Sequence, residues 1–304
     1  KLIKSNVFLA ITSMLIGIIF VDFYGVIIKF IGNSYSSPQL AFFRNFFALI
    51  PIIFLFIITR DIKNIFVGIS KKFLFLCFLR GISFVLMQIF YYISIINMNF
   101  ATATTLTFSS PIFIVVLSML VLKEKIGLFR WSAIFIGFGG VLLIMNPTSE
   151  LFSYISILPL LAALCWAISN IVLKFIPEDI SSVKINFYSI NFSYIGSLII
   201  LFFSSDFSPV ENSFDWLLLI LIGILGGIAS ILFSFAYRVV SPSTLAPFEY
   251  LGIPSSFILG WIFFYEAPIE QLFPGVLGIV AAGFIIIWRE KKLSIGKIVS
   301  NKIH

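Results

Sequence analysis

From residue 6 onward the chain alternates between long apolar runs and short polar breaks. Ten runs qualify as membrane-spanning segments, for which about 20 mostly apolar residues suffice. They lie near 6–31, 39–59, 71–97, 101–122 and 129–145, and then near 154–176, 182–204, 214–239, 243–265 and 272–288. The breaks are short; "GNSYSSP" separates the first two runs, leaving no room for a soluble domain. Transmembrane β-strands would be shorter and would alternate apolar with polar residues, which these runs do not. The pattern predicts an all-α integral membrane fold of ten transmembrane helices. The first run, "NVFLAITSMLIGIIFVDFYGVIIKFI", is longer than the apolar core of a signal peptide, about 7–15 residues, and is expected to stay as a helix.

Composition agrees with that pattern. Of 304 residues, 60% are hydrophobic and 11% charged, against about 25% charged in soluble domains, and the mean hydropathy is +1.13. Cys77 and Cys165 lie inside apolar runs and read as small buried side chains. The one histidine is His304, so metal sites and catalytic triads built on histidine find no ligand in the body of the chain, and no cofactor is expected.

The net charge of +7 changes the picture through its distribution. Lys1 and Lys4 precede span 1. Arg60, Lys63, Lys71 and Lys72 lie between spans 2 and 3, and Lys123, Lys125 and Arg130 between spans 4 and 5. Lys184 follows span 6, Arg238 ends span 8, and Arg289, Lys291, Lys292, Lys297 and Lys302 form the tail. The alternate loops carry Glu150, Asp206, Glu211, Glu266 and Glu270 instead. Cytoplasmic loops concentrate lysine and arginine, so both termini are expected in the cytoplasm of a bacterial-type inner membrane. The charge reads as an orientation signal rather than a nucleic-acid surface, and the tail is also a candidate contact for lipid headgroups.

The two halves of the chain echo each other. "VIIKFI" at 26–31 resembles "IVLKFI" at 171–176, with Lys29 and Lys174 at matching places. Ala103 and Ala246, Pro111 and Pro254, and Gly140 and Gly283 also match in order. Each proline leads into an apolar helix and then a glutamate, Glu124 or Glu266. Two repeats are expected, residues 1–145 and 146–304, with five spans each. Five is odd, so the second copy would insert upside down relative to the first, an arrangement suited to alternating access around a midplane site.

With ten spans in two such repeats, and with "SSPIFIVVLSMLVLKEK" at 109–125 and "GIPSSFILGWIFFYEAP" at 252–268, the sequence resembles the EamA-type members of the drug/metabolite transporter superfamily. "TLAPFEYL" at 244–251 looks like the start of span 9 in uptake members that carry S-adenosylmethionine or riboflavin. The resemblance implies a cavity among spans 1–4 and 6–9, with spans 5 and 10 supporting it from outside. The small residues of spans 5 and 10 suit packing within one protomer or across a homodimer.

Five ionisable residues lie within spans: Asp22, Lys29, Arg44, Arg80 and Glu249. Each costs on the order of 2.5–3.5 kcal/mol near the bilayer centre, which marks them as functional candidates. At about 1.5 Å per residue, Asp22 lies roughly 13 Å and Arg44 roughly 7 Å from the outer surface. That pair is expected to join as an ion pair or to meet the solute. Arg80 and Glu249 lie roughly 13 Å and 9 Å from the cytoplasmic surface and form a second expected pair, so that the two pairs would act as alternating gates. Glu249 keeps three readings: pairing with Arg80, contact with a cationic group, and proton coupling. Lys29 is close enough to the surface to snorkel. Summed, the five favour an anionic group on the solute. Gln88, Tyr91, Trp166, Asn170 and Tyr250 are further cavity candidates, and Pro111, Pro247 and Pro254 are candidate helix breaks.

The expected function is secondary active transport of a small polar or amphipathic metabolite, import or export. The chain has no G-x-x-x-x-G-K-[ST] loop for nucleotide. It has no cluster of catalytic side chains for a membrane enzyme and no ring of like charges for a channel.

Overall fold

The computed structural model describes residues 2–59, 62–145, 154–204 and 206–265, together with 273–275, 277, 278, 281, 285 and 288. Among these residues every regular element is helical. Six helices are long and apolar enough to cross a membrane. They are α1 (Leu2–Ile31), α2 (Ser37–Ile58), α3 (Lys71–Asn97), α7 (Ile157–Val172, extended by a 3₁₀ turn to Phe175), α8 (Ser182–Ser204) and α9 (Ser213–Val239). α6 (Leu128–Met145) is a further apolar helix. Their outward faces are bare hydrocarbon: Phe54, Phe202 and Phe203 are among many large apolar side chains left exposed, as lipid-facing residues would be. Most of expected span 10 lies outside the described residues.

The fourth and ninth expected spans are not continuous helices. Residues 100–121 form α4 (Phe100–Thr107) and α5 (Ser110–Val121), and residues 242–264 form α10 (Pro242–Glu249) and α11 (Gly252–Phe264). The cause is local. A proline has no N–H to donate and its ring collides with the carbonyl four residues back. Pro111 and Pro254 therefore sit in the first turn of the downstream helix, where neither defect matters. Both breaks tighten in the same way, with bonds three residues apart: Ser109 N to Leu106 O and Ile112 N to Ser109 O in one, Leu251 N to Phe248 O and Ile253 N to Tyr250 O in the other. Pro247 lies inside α10 without ending it.

The bundle packs α1 and α2 on α9, α3 on α7 and α8, and α5 on α7. Glycines let α2 and α9 approach closely. A Cβ on Gly223 would lie 2.2 Å from Phe47 Cβ, and one on Gly227 would lie 2.6 Å from the Ala48 carbonyl oxygen. Such close approach replaces the hydrophobic driving force that helices lack inside lipid.

Polar residues collect at the two ends. At one, Tyr35 donates to Asp215 (2.7 Å), Ser36 to the Asp206 carbonyl (2.8 Å) and Lys29 to the Met98 carbonyl (3.0 Å). At the other, Lys184 donates to the Asn64 carbonyl (2.9 Å), Lys174 to the Arg238 carbonyl (3.1 Å) and Arg130 to Ser243 Oγ (2.9 Å), which itself donates to Glu124.

Candidate functional site

Both breaks open onto one cavity. α1 contributes Asp22 and Tyr24, and α3 contributes Met87 and Tyr91. Thr107, Phe108 and Ser110 come from the first break, and Glu249 from the edge of the second. Trp166 of α7 and Phe233 of α9 close the wall, edge to face with ring centroids 4.8 Å apart. The lining is mostly apolar and aromatic, with two carboxylates as its ionisable acids. Sites for small organic solutes commonly have this form: an apolar wall with a few placed polar groups.

The carboxylates are held by neutral donors. Ser110 Oγ donates to Glu249 Oε2 (2.5 Å) and Trp166 Nε1 to Oε1 (2.8 Å), and the Tyr237 hydroxyl also donates to Oε1. Asp22 receives Ser255 Oγ on Oδ2. These donors satisfy the acceptor oxygens that burial takes away from water. Among the described residues no three of His, Cys, Asp and Glu gather as a metal site would require.

The expected ion pairs do not form. Arg44 donates to the Gly226 carbonyl (2.7 Å), Ser230 Oγ (3.0 Å) and Asn45 Oδ1 (3.1 Å), with its guanidinium 4.8 Å from the centre of the Phe84 ring. Arg80 donates to Ser234 Oγ (2.8 Å) and Asn186 Oδ1 (3.2 Å). Ser234 in turn donates to the Ser230 carbonyl (2.7 Å), so one polar layer joins both arginines across α2, α3, α8 and α9. The layer is buried beside the cavity, not in its lining. The direction in which each side chain leaves its helix was not legible in the sequence. The expected preference for an anionic solute falls with the pairs, because the cations it counted are absent from the lining.

Other candidates divide. Asp22, Tyr91, Trp166 and Glu249 line the cavity. Gln88 exchanges hydrogen bonds with Asn45 at 2.9 and 3.1 Å, bridging α3 to α2. Asn170 donates back to the Trp166 carbonyl (3.0 Å). Tyr250 packs on α6, where a Cβ on Gly137 would lie 2.4 Å from its ring. These last three, like Arg44 and Arg80, lie outside the lining. Lys29 reaches the carbonyl end of α3 and lies 5.0 Å from the Phe264 ring centre. Ser110, Tyr237 and Ser255 were missed. Ser110 and Ser255 each adjoin a helix-breaking proline, and that adjacency was a usable signal; Tyr237 carried none.

Comparison with known proteins identifies the chain. A model of the EamA-like transporter family matches residues 8–146 and again residues 153–288. The chain belongs to the EamA-like transporter family. Among its relatives in that family is an S-adenosylmethionine uptake transporter of Rickettsia bellii, 29% identical over 90% of this chain and 91% of that protein. A riboflavin transporter of Vibrio cholerae is 32% identical over 62% of each. A solved crystal structure shares the fold at a TM-score of 0.67 and 15% identity, covering 93% of this chain and 98% of that one. The EamA-like chain is thus a multi-pass membrane protein that transports a small metabolite, and it is not an enzyme.

Proposed function

We propose that this transporter is a secondary active carrier that takes up a cationic, amphipathic metabolite, with S-adenosylmethionine as the first candidate. The observation that carries the reading is the pair of cavity acids, Asp22 and Glu249, whose hydrogen-bond partners among the described residues are serine, tyrosine and tryptophan. A solute bearing a sulfonium or ammonium would complete their charge, and Tyr24, Tyr91, Trp166 and Phe233 line the same cavity with aromatic rings of the kind that attract a cation. The uptake transporter of Rickettsia bellii, similar over nearly the whole chain, supports this choice.

Alternating access between two inverted five-span repeats, ten spans in all, is the mechanism we infer. The packing supports it: α1 on α9 has a counterpart in α3 on α7, α2 on α9 in α3 on α8, and α5 on α10 in α4 on α11. An exchange of the first repeat for the second generates each pair from the other. Lys63, Lys71, Lys174, Lys184 and Arg238 lie towards one end and Asp206, Glu211 and Asp215 towards the other, which supports an inner-membrane orientation with both termini in the cytoplasm.

Riboflavin is the second reading, favoured by the aromatic walls and by the Vibrio cholerae relative. Uptake of labelled solute into proteoliposomes separates the two. S-adenosylmethionine should accumulate, saturate and show counterflow, with riboflavin in excess competing weakly. Uptake of riboflavin with none of S-adenosylmethionine would overturn the cationic reading. Repeating the measurement with and without a pH gradient tests proton coupling.

A further inference from the structure

Asp22 and Glu249 face the same cavity, but the protein has used them to different extents. A carboxylate offers about four acceptor positions. Glu249 fills three of them with Ser110, Trp166 and Tyr237, drawn from α5, α7 and α9, while Glu249 itself ends α10. The Trp166 indole can only donate. A solute that took Glu249 would leave that N–H, and the helices it joins, without their common partner.

Among the described residues Asp22 is bonded only through Oδ2, to Ser255. Ser255 has a single hydroxyl proton and two acceptors within reach, Asp22 and the Gly252 carbonyl at 2.8 Å. It can therefore leave Asp22 and remain satisfied, because the second acceptor belongs to its own helix. The exchange removes one bond between α1 and α11 and creates no orphaned buried group.

We propose that Asp22 is the residue on which the cationic group of the solute docks, that Ser255 is the group it displaces, and that Glu249 is a positioning residue. Arrival of the cation at Asp22 turns the Ser255 proton to the Gly252 carbonyl and releases α11, just beyond the second break, from α1. Binding is thereby coupled to a loosening of the broken ninth span, while Glu249 keeps α5, α7 and α9 gathered on α10. The assignment rests on the cationic reading of the cavity.

The test uses the full chain, purified, with S-adenosylmethionine binding and the melting temperature measured together for wild type, Asp22→Asn, Asp22→Glu, Ser255→Ala and Glu249→Gln. Asp22→Asn should weaken binding at least about ten-fold, the scale of one lost charge-assisted contact, with melting close to wild type. Asp22→Glu should recover part of that loss. Ser255→Ala should bind as tightly as wild type or up to about three-fold tighter, since a competitor for Asp22 is gone. Glu249→Gln should melt lower and weaken binding less than Asp22→Asn does, since its charge shares the cavity but its hydrogen bonds hold the helices. Should Asp22→Asn fail to fold, Asp22→Glu must weaken binding while Ser255→Ala does not; equal binding in all three proteins overturns the assignment. So does a Glu249→Gln protein that loses binding while Asp22→Asn keeps it. A wild type that binds riboflavin but not S-adenosylmethionine instead overturns the cationic reading, and this assignment with it.

Discussion

Two polar regions lie buried side by side in this bundle, and they divide the charges between them. The cavity holds Asp22 and Glu249 against serine, tyrosine and tryptophan donors. The neighbouring layer holds Arg44 and Arg80 against asparagine, serine and a backbone carbonyl. Among the described residues, neither region neutralises charge with charge. An arginine in such a layer donates to several helices at once and so ties them together. A carboxylate in the cavity keeps unused lone pairs, and these can bind a ligand. The lesson is that the sum of buried charges says little about a site; what matters is which charges share a wall.

This contrast can be broken in four ways, from the largest expected effect to the smallest. Thr107→Lys places an ammonium among the cavity acids. Apposed like charges cost several kcal/mol, so uptake of the cationic solute should fall on the order of a hundred-fold in a protein that still folds. Unimpaired uptake would mean that the acids do not recognise charge. Arg80→Leu removes the charge-assisted bonds to Asn186 and Ser234 and should cost about 3 kcal/mol of stability by chemical unfolding, while uptake per folded molecule stays within about three-fold. The reverse outcome, full stability with lost uptake, would move Arg80 into the functional site.

Gly226→Ala comes next. Its Cβ would lie 2.4 Å from Arg44 Nε, and overpacking of that kind costs about 1–3 kcal/mol, measurable as a lowered melting temperature with solute affinity unchanged. Tyr35→Phe should have the smallest effect, about 1 kcal/mol for its bond to Asp215. Burial, together with that bond, pushes the Tyr35 hydroxyl from 10.0 up to about 12. Because the folded value is raised, the stabilisation is complete below the unfolded value and disappears only as pH climbs through the folded one. The difference between Tyr35→Phe and wild type should therefore be flat between about pH 6 and pH 9; a slope there would show that another group titrates with it.

Much of the scaffold was legible in the sequence because it follows from one-dimensional quantities. Run length marks a helix that can span, and Pro111 and Pro254 mark the breaks by their chemistry. An acid in an apolar run marks the cavity: Asp22 and Glu249 were recognised as costly, and both line it. The partners were illegible because they depend on rotation about each helix axis, which the sequence of a helix apolar all round does not encode. Arg44 was expected at Asp22 from depth alone, yet its side chain turns to α9, where Gly226 clears the space for it. Tyr250 follows Glu249 in sequence and points to α6 instead.

The glycine seam between α2 and α9 carries a mechanical consequence. With Phe47 and Ala48 seated directly over Gly223 and Gly227, these two helices have no slack in which to slide. Packed surfaces of this kind move as rigid bodies, and displacement collects at hinges. On the proposed mechanism the seam serves as the keel of the molecule, and bending is expected at the two proline breaks beside the solute.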